Sequence, residues 1–260
     1  MLGMAMDDGA TWRPARFGTE ERRDAAAAVR DRLQATYGVR LRAVALEGST
    51  AKGLDLPESD LELRAVVEGG ETHRWYACFR RGLFVGVSLV TEAQARRDAA
   101  AVDYEWPSQG DVWDTAQVLY DPDGLYPALR AVAAAAAEEA DFMALTRESL
   151  TDLYEHVYKV FTAGEDEATA AHEARQVAFW AANTVALPHR HRYRGSRTLF
   201  AESAALPGLP AGYAGRVRGL LALRTDAAAL RRDTGALWTA FVPWAADRGI
   251  TLDDDTLERL

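Results

Sequence analysis

Of the 260 residues only one is a cysteine, Cys78. That excludes an internal disulfide and a cysteine-built zinc site, makes a reducing cytoplasm the expected compartment, and leaves Cys78 expected as a small buried apolar residue. Lysine is nearly absent as well: Lys52 and Lys159 stand alone among arginines. Basic residues are outnumbered, 30 Lys and Arg against 39 Asp and Glu, for a net charge of −9. This balance argues against a nucleic-acid backbone or an anionic membrane as partner and suits a cationic substrate. No apolar run exceeds Ala131–Ala137, far short of the ~20 residues of a membrane span. The segment Met1–Arg13 carries acids and no long apolar stretch, so no secretory signal is expected. What the chain does have is 48% hydrophobic residues, seven Trp and nine Tyr, enough for one large or two modest cores.

The stretch from Leu46 to Leu63 organises the rest. Val44, Ala45 and Leu46 end on Gly48-Ser49, a polar loop follows, and Asp60 and Glu62 open a second apolar run through Leu61, Leu63, Ala65, Val66 and Val67. Strand periodicity is two, so Asp60 and Glu62 share a face, about 6.5–7 Å apart along the backbone. Two carboxylates held in this way can share Mg²⁺ with an incoming triphosphate. Gly48 and Ser49 let backbone N–H groups and a hydroxyl approach phosphate oxygens unobstructed. Asp60-Leu61-Glu62 alone reads as an ordinary solvated strand face. With Gly48-Ser49 ahead of it across ten intervening residues and strands on both sides, the functional reading leads, and the pattern resembles the signature of the nucleotidyltransferase superfamily. Glu47 departs from it, since an apolar or aromatic residue is usual there.

Along the chain, a helix is expected from Thr19 to about Tyr37, with Thr19 as its cap and Ala25, Val29, Leu33 and Tyr37 as its buried stripe. Strands follow at Leu41–Leu46, Asp60–Val67 and Leu83–Val90, the last beside the carboxylate strand, with Trp75–Arg81 as a strand or short helix. Thr91–Ala101 is a helix capped by Thr91, Asp103–Pro107 a loop, Gln117–Tyr120 a short strand and Asp121–Gly124 a turn. Beyond Leu125 helices dominate: to Ala140, then Phe142–Gly164, Ala168–Leu187, Arg197–Ala204, Gly212–Leu223 and Thr225–Gly249. The expected class is α+β, an N-terminal mixed sheet with helices (residues 1–136) and a C-terminal helical bundle (residues 137–260).

Other residues are candidates on spacing alone. Glu155 and Lys159 lie four apart on one helix face, either a surface ion pair or a general base with a phosphate-binding ammonium. His189-Arg190-His191 lacks a third ligand and is not read as a metal site. Asp253-Asp254-Asp255 is read as a solvated cluster.

Taken together these features resemble the kanamycin nucleotidyltransferase family, which transfers a nucleoside monophosphate to the 4′-hydroxyl of aminoglycosides. The resemblance runs through Gly48-Ser49, Asp60-Leu61-Glu62, the Trp106-Pro107 loop, Leu153-Tyr154-Glu155 with Lys159, His189-Arg190, and Leu209-Pro210-Ala211-Gly212-Tyr213. It implies an Mg²⁺-dependent cytoplasmic homodimer with composite sites that uses an NTP such as ATP and confers antibiotic resistance. Asp60 and Glu62 are then the metal ligands, Gly48, Ser49 and Lys159 the nucleotide contacts, Glu155 the base, and Glu105 an acid near the acceptor. The family's third carboxylate falls where this chain has Gly86. Two other readings stay open: a catalytically silent member that binds nucleotide or a protein, and an enzyme acting on a protein or RNA end, to which the acidic charge is poorly matched.

Overall fold

The computed structural model describes residues 14–70, 72–109, 111–222 and 226–252. The N-terminal segment and the Asp253–Asp255 cluster lie outside them. The chain forms two compact units, one of residues up to Ala101 with Val112–Glu139, the other of Val102–Asp111 with residues from Ala140 onward.

The first unit is built on a five-stranded mixed sheet, β1 (Leu41–Glu47), β2 (Leu61–Val67), β3 (His73–Arg80), β4 (Leu83–Thr91) and β5 (Gln117–Tyr120), ordered β3-β4-β2-β1-β5. β2 and β4 run parallel and the other neighbours antiparallel. Alternation sends Val44, Leu46, Leu61, Leu63, Val85 and Val87 to one face, where Ala25 and Ala26 of α1 (Thr19–Tyr37) cover them. Ala43, Ala45, Val66 and Val90 go to the other. There α2 (Glu92–Ala100) contributes Ala95 and Ala99, and α3 (Leu125–Glu139) contributes Leu125, Tyr126 and Leu129. Thr91 caps α2, its hydroxyl accepting from Gln94 N at 3.2 Å. Asp121 caps α3 through Leu125 N and Tyr126 N.

Two expectations are corrected here. Thr19 is already inside α1, whose cap is the extended Gly18 (φ −78°, ψ 163°), with Gly18 N donating to Glu21 Oε2 at 2.6 Å. Cys78 is exposed, because β3 is an edge strand exposed along its length.

The second unit is helical: α4 (Phe142–Thr162), α5 (Glu167–Ala186), α6 (Leu199–Ala204), α7 (Tyr213–Leu221) and α8 (Ala227–Ala246). Asp141, Asp166 and Asp226 cap α4, α5 and α8 by accepting from first-turn N–H groups, where a carboxylate also favours the positive helix end. The core is Leu150, Leu153, Val157 and Val160 of α4 against Val177, Ala178 and Ala181 of α5 and Leu230, Leu237 and Phe241 of α8. Trp106 ties the 102–111 segment to this bundle, its ring 5.0 Å from Phe142 and beneath the Arg192 guanidinium at 4.9 Å. Pro107 O accepts from Tyr193 N at 2.7 Å.

Candidate active site

β1 ends at Glu47, and a single helical turn, Gly48–Ala51, carries the Gly-Ser pair. Asp60 is exposed just ahead of β2, and Glu62 is half-buried within it. In the sheet register Glu62 stands between Glu47 of β1 and Gly86 of β4. Gly48 adopts φ 66°, and a Cβ built on it would fall 2.2 Å from Glu62 Oε2. Both the backbone conformation and the space therefore require glycine, and its missing side chain is what seats the Glu62 carboxylate. Burial raises the Glu62 pKa, and the charges of Asp60 and Glu47 raise it further, against an opposing pull from Lys52. Charge of one sign accumulates here, which a bound cation would relieve.

Glu47, the departure from the superfamily pattern, is spent on its own sheet. Arg64 Nε meets Glu47 Oε1 at 2.5 Å, and the same guanidinium lies 3.7 Å from Asp98 Oδ2 and 5.2 Å from the Trp113 ring centre. With Glu47 paired to Arg64, Asp60 and Glu62 are the carboxylates beside the Gly-Ser turn that a ligand would meet. Ser49 is partly buried, and its carbonyl accepts from Leu54 N at 2.9 Å, closing the turn.

One organising residue gave no sequence signal. Arg22, on α1, is 1% exposed. Its Nη1 pairs with Asp55 Oδ2 at 3.0 Å, and the guanidinium also donates to the carbonyls of Phe17, Leu56, Pro57 and Ser59. Asp55 accepts in addition from Thr19 Oγ1 at 2.9 Å. This buried fork fixes the loop that delivers Asp60.

Gly86, which the resemblance matches to a third carboxylate, lies beneath an aromatic ring. Trp75 of β3 pairs with Ser88 and Ala77 with Gly86, so Trp75 and Gly86 share the Glu62 face. A Cβ on Gly86 would lie 2.2 Å from Trp75 Cη2 and 2.4 Å from Cζ2.

In the second unit Glu155 and Lys159 form an ion pair at 2.6 Å with both side chains well exposed. The hydrogen bond and charge of Lys159 hold the Glu155 carboxyl below its ordinary pKa. One turn earlier on α4, Asp152 bonds Tyr104, the neighbour of Glu105, and Glu105 Oε2 accepts from Gln109 Nε2 at 2.7 Å. His191 Nε2 lies 3.0 Å from Glu202 Oε2, and burial lowers the His189 pKa. Among the described residues no group of three or more His, Cys, Asp or Glu gathers as a metal site. Asp60 with Glu62 offers two carboxylates, a donor set that fits Mg²⁺ completed by water and substrate phosphates rather than an all-protein cage.

Comparison with known proteins places the chain. Residues 123–251 match the KNTase C-terminal domain. Aminoglycoside nucleotidyltransferase (4′) of Staphylococcus aureus is 22% identical over 240 residues, covering 90% of this chain and 94% of that protein. The protein of the same name from a Bacillus species gives the same identity and coverage. A solved structure, a nucleotidyltransferase-like protein from Exiguobacterium sibiricum, aligns with a TM-score of 0.48 at 10% identity over 87% of this chain and 75% of that one. With the KNTase C-terminal domain in its second half and similarity to aminoglycoside nucleotidyltransferases along nearly the whole chain, this protein is a nucleotidyltransferase.

Proposed function

We propose that the protein moves a nucleoside monophosphate from an NTP, ATP foremost, to a hydroxyl of a small cationic acceptor, with aminoglycosides the first candidates, and releases pyrophosphate. One observation carries this reading: the Glu62 carboxylate rests on Gly48 at the Gly-Ser turn, its charge made unfavourable by burial and by Asp60. A divalent ion held by Asp60 and Glu62 would supply neutralisation of the triphosphate. Gly48 and Ser49 would receive phosphate oxygens at the turn. Lys159 would offset the remaining phosphate charge. Glu155 would take the proton from the attacking acceptor hydroxyl. Glu105 would meet an ammonium of the acceptor. Asp60 and Glu155 belong to different units of the chain, and by the family resemblance we propose a homodimer in which each chain's Glu155 serves its partner's Asp60 and Glu62.

The test is incubation with each labelled NTP, MgCl₂ and a panel of aminoglycosides and amino sugars, with products read by mass spectrometry. An acceptor heavier by one nucleoside monophosphate, formed with pyrophosphate, is the expected result. Nucleotide binding without product would instead support the silent-binder reading, to which Gly86 in place of an acid and the unusual Glu47 point.

A further inference from the structure

On the Glu62 face of the sheet, β4 presents Phe84, Gly86 and Ser88, and β3 presents His73, Trp75, Ala77 and Phe79. None of these is acidic. Asp60 and Glu62 are reserved for the cation in the function proposed above, on which this inference rests, and Glu47 is held by Arg64. Among the described residues of β3 and β4, an ammonium or sugar ring arriving beside Glu62 therefore finds no carboxylate. It finds an indole.

Gly86 explains why the indole is there. Its φ lies outside the left-handed region, so the backbone would accept any residue; what excludes a side chain is the six-membered ring of Trp75, whose Cη2 and Cζ2 fill the Cβ position. Trp75 stays 48% exposed, so the ring rests on Gly86 and keeps area open to solvent. Its strand is an edge of the sheet among the described residues and is exposed along its length.

We propose that Trp75 is an acceptor-binding residue. Its indole takes the place of a third acid beside Glu62 and holds a hydroxylated ring carrying an ammonium by stacking and cation–π attraction. The interaction is directional and weakly dependent on salt, whereas a carboxylate rewards total positive charge. The acceptor class that follows is an amino sugar of low charge with a flat apolar face, preferred over a polycation.

The experiment compares wild type, Trp75→Phe, Trp75→Ala and the double variant Trp75→Ala/Gly86→Glu, with glucosamine and kanamycin as acceptors and MgATP as donor. Trp75→Ala should raise the acceptor KM about tenfold while the ATP KM stays within twofold, and Trp75→Phe should retain most of the affinity. The double variant, with the indole gone and an acid in its place, should shift preference toward kanamycin and weaken as salt rises. An acceptor KM unchanged in Trp75→Ala overturns the proposal and leaves nucleotidyl transfer standing. Should wild type transfer to neither probe, saturation-transfer NMR of the same two compounds decides. A signal present in wild type and Trp75→Phe but lost in Trp75→Ala supports Trp75 while removing the transfer reading; a signal indifferent to Trp75 overturns the proposal.

Discussion

The Arg22 guanidinium meets the Asp55 carboxylate at 3.0 Å with 1% and 4% of the two side chains exposed, and four loop carbonyls share the remaining donors. Removing one partner of such a pair leaves a buried charge without compensation, a loss of roughly 3–5 kcal/mol. Arg22→Met should destabilise the protein by that order in denaturant titrations. Because Asp55 is the stranded charge, adding Asp55→Asn should recover part of the loss. A double variant no more stable than the single one would show that the carbonyl bonds, and not the ion pair, carry the loop.

Gly48 is required twice over, by φ 66° and by the Glu62 carboxylate 2.2 Å from where a Cβ would stand. Gly48→Ala should abolish transfer and cost about 1–3 kcal/mol. Transfer at wild-type rate would mean that the Glu62 carboxylate can leave its seat without consequence.

Glu62 sets function against stability. Its folded pKa is raised, so ionised Glu62 destabilises the fold at neutral pH, and that penalty fades as pH falls through the raised folded value and is gone below the unfolded one. Glu62→Gln should therefore raise the melting temperature at pH 7, by about 2 °C, while Mg²⁺-dependent nucleotide binding is lost. In wild type, Mg²⁺ affinity should decline on acidification at a higher pH than for an ordinary carboxylate. A lower melting temperature in Glu62→Gln would show that the charge is already compensated.

Asp60 is exposed and fills no core volume, so Asp60→Asn should keep the wild-type melting curve and lose transfer. If each chain's Glu155 serves its partner, Asp60→Asn and Glu155→Gln are each inactive, but mixing with subunit exchange makes half the dimers mixed, each with one intact site. About a quarter of wild-type activity should return. With exchange verified by a tagged subunit, a mixture as inactive as its parents would assign Glu155 to its own chain or to no role.

The strands were legible because period-two alternation and the Gly-Ser turn are local signals; Leu61–Val67 and Leu83–Thr91 do run side by side, with Asp60 just ahead of the strand it was expected to open. Thr91 was legible as a cap, whereas the capping roles of Asp141, Asp166 and Asp226 were not read from the sequence. Arg22 was not, since its partner lies 33 positions away and a buried arginine looks in sequence like any other charge on a helix. Trp75 was missed for a related reason: only the register of β3 on β4 brings it onto Gly86. Cys78 was misread because hydrophobic composition does not reveal which strand ends a sheet.

That edge strand has a practical consequence. Cys78 is exposed and is the chain's sole thiol, and it pairs with Val85 on the face opposite Trp75. A maleimide dye or spin label would therefore attach at one defined position, three residues from the indole and turned away from it, so that ligand arrival beside Glu62 becomes observable by spectroscopy without first engineering cysteines into or out of the protein.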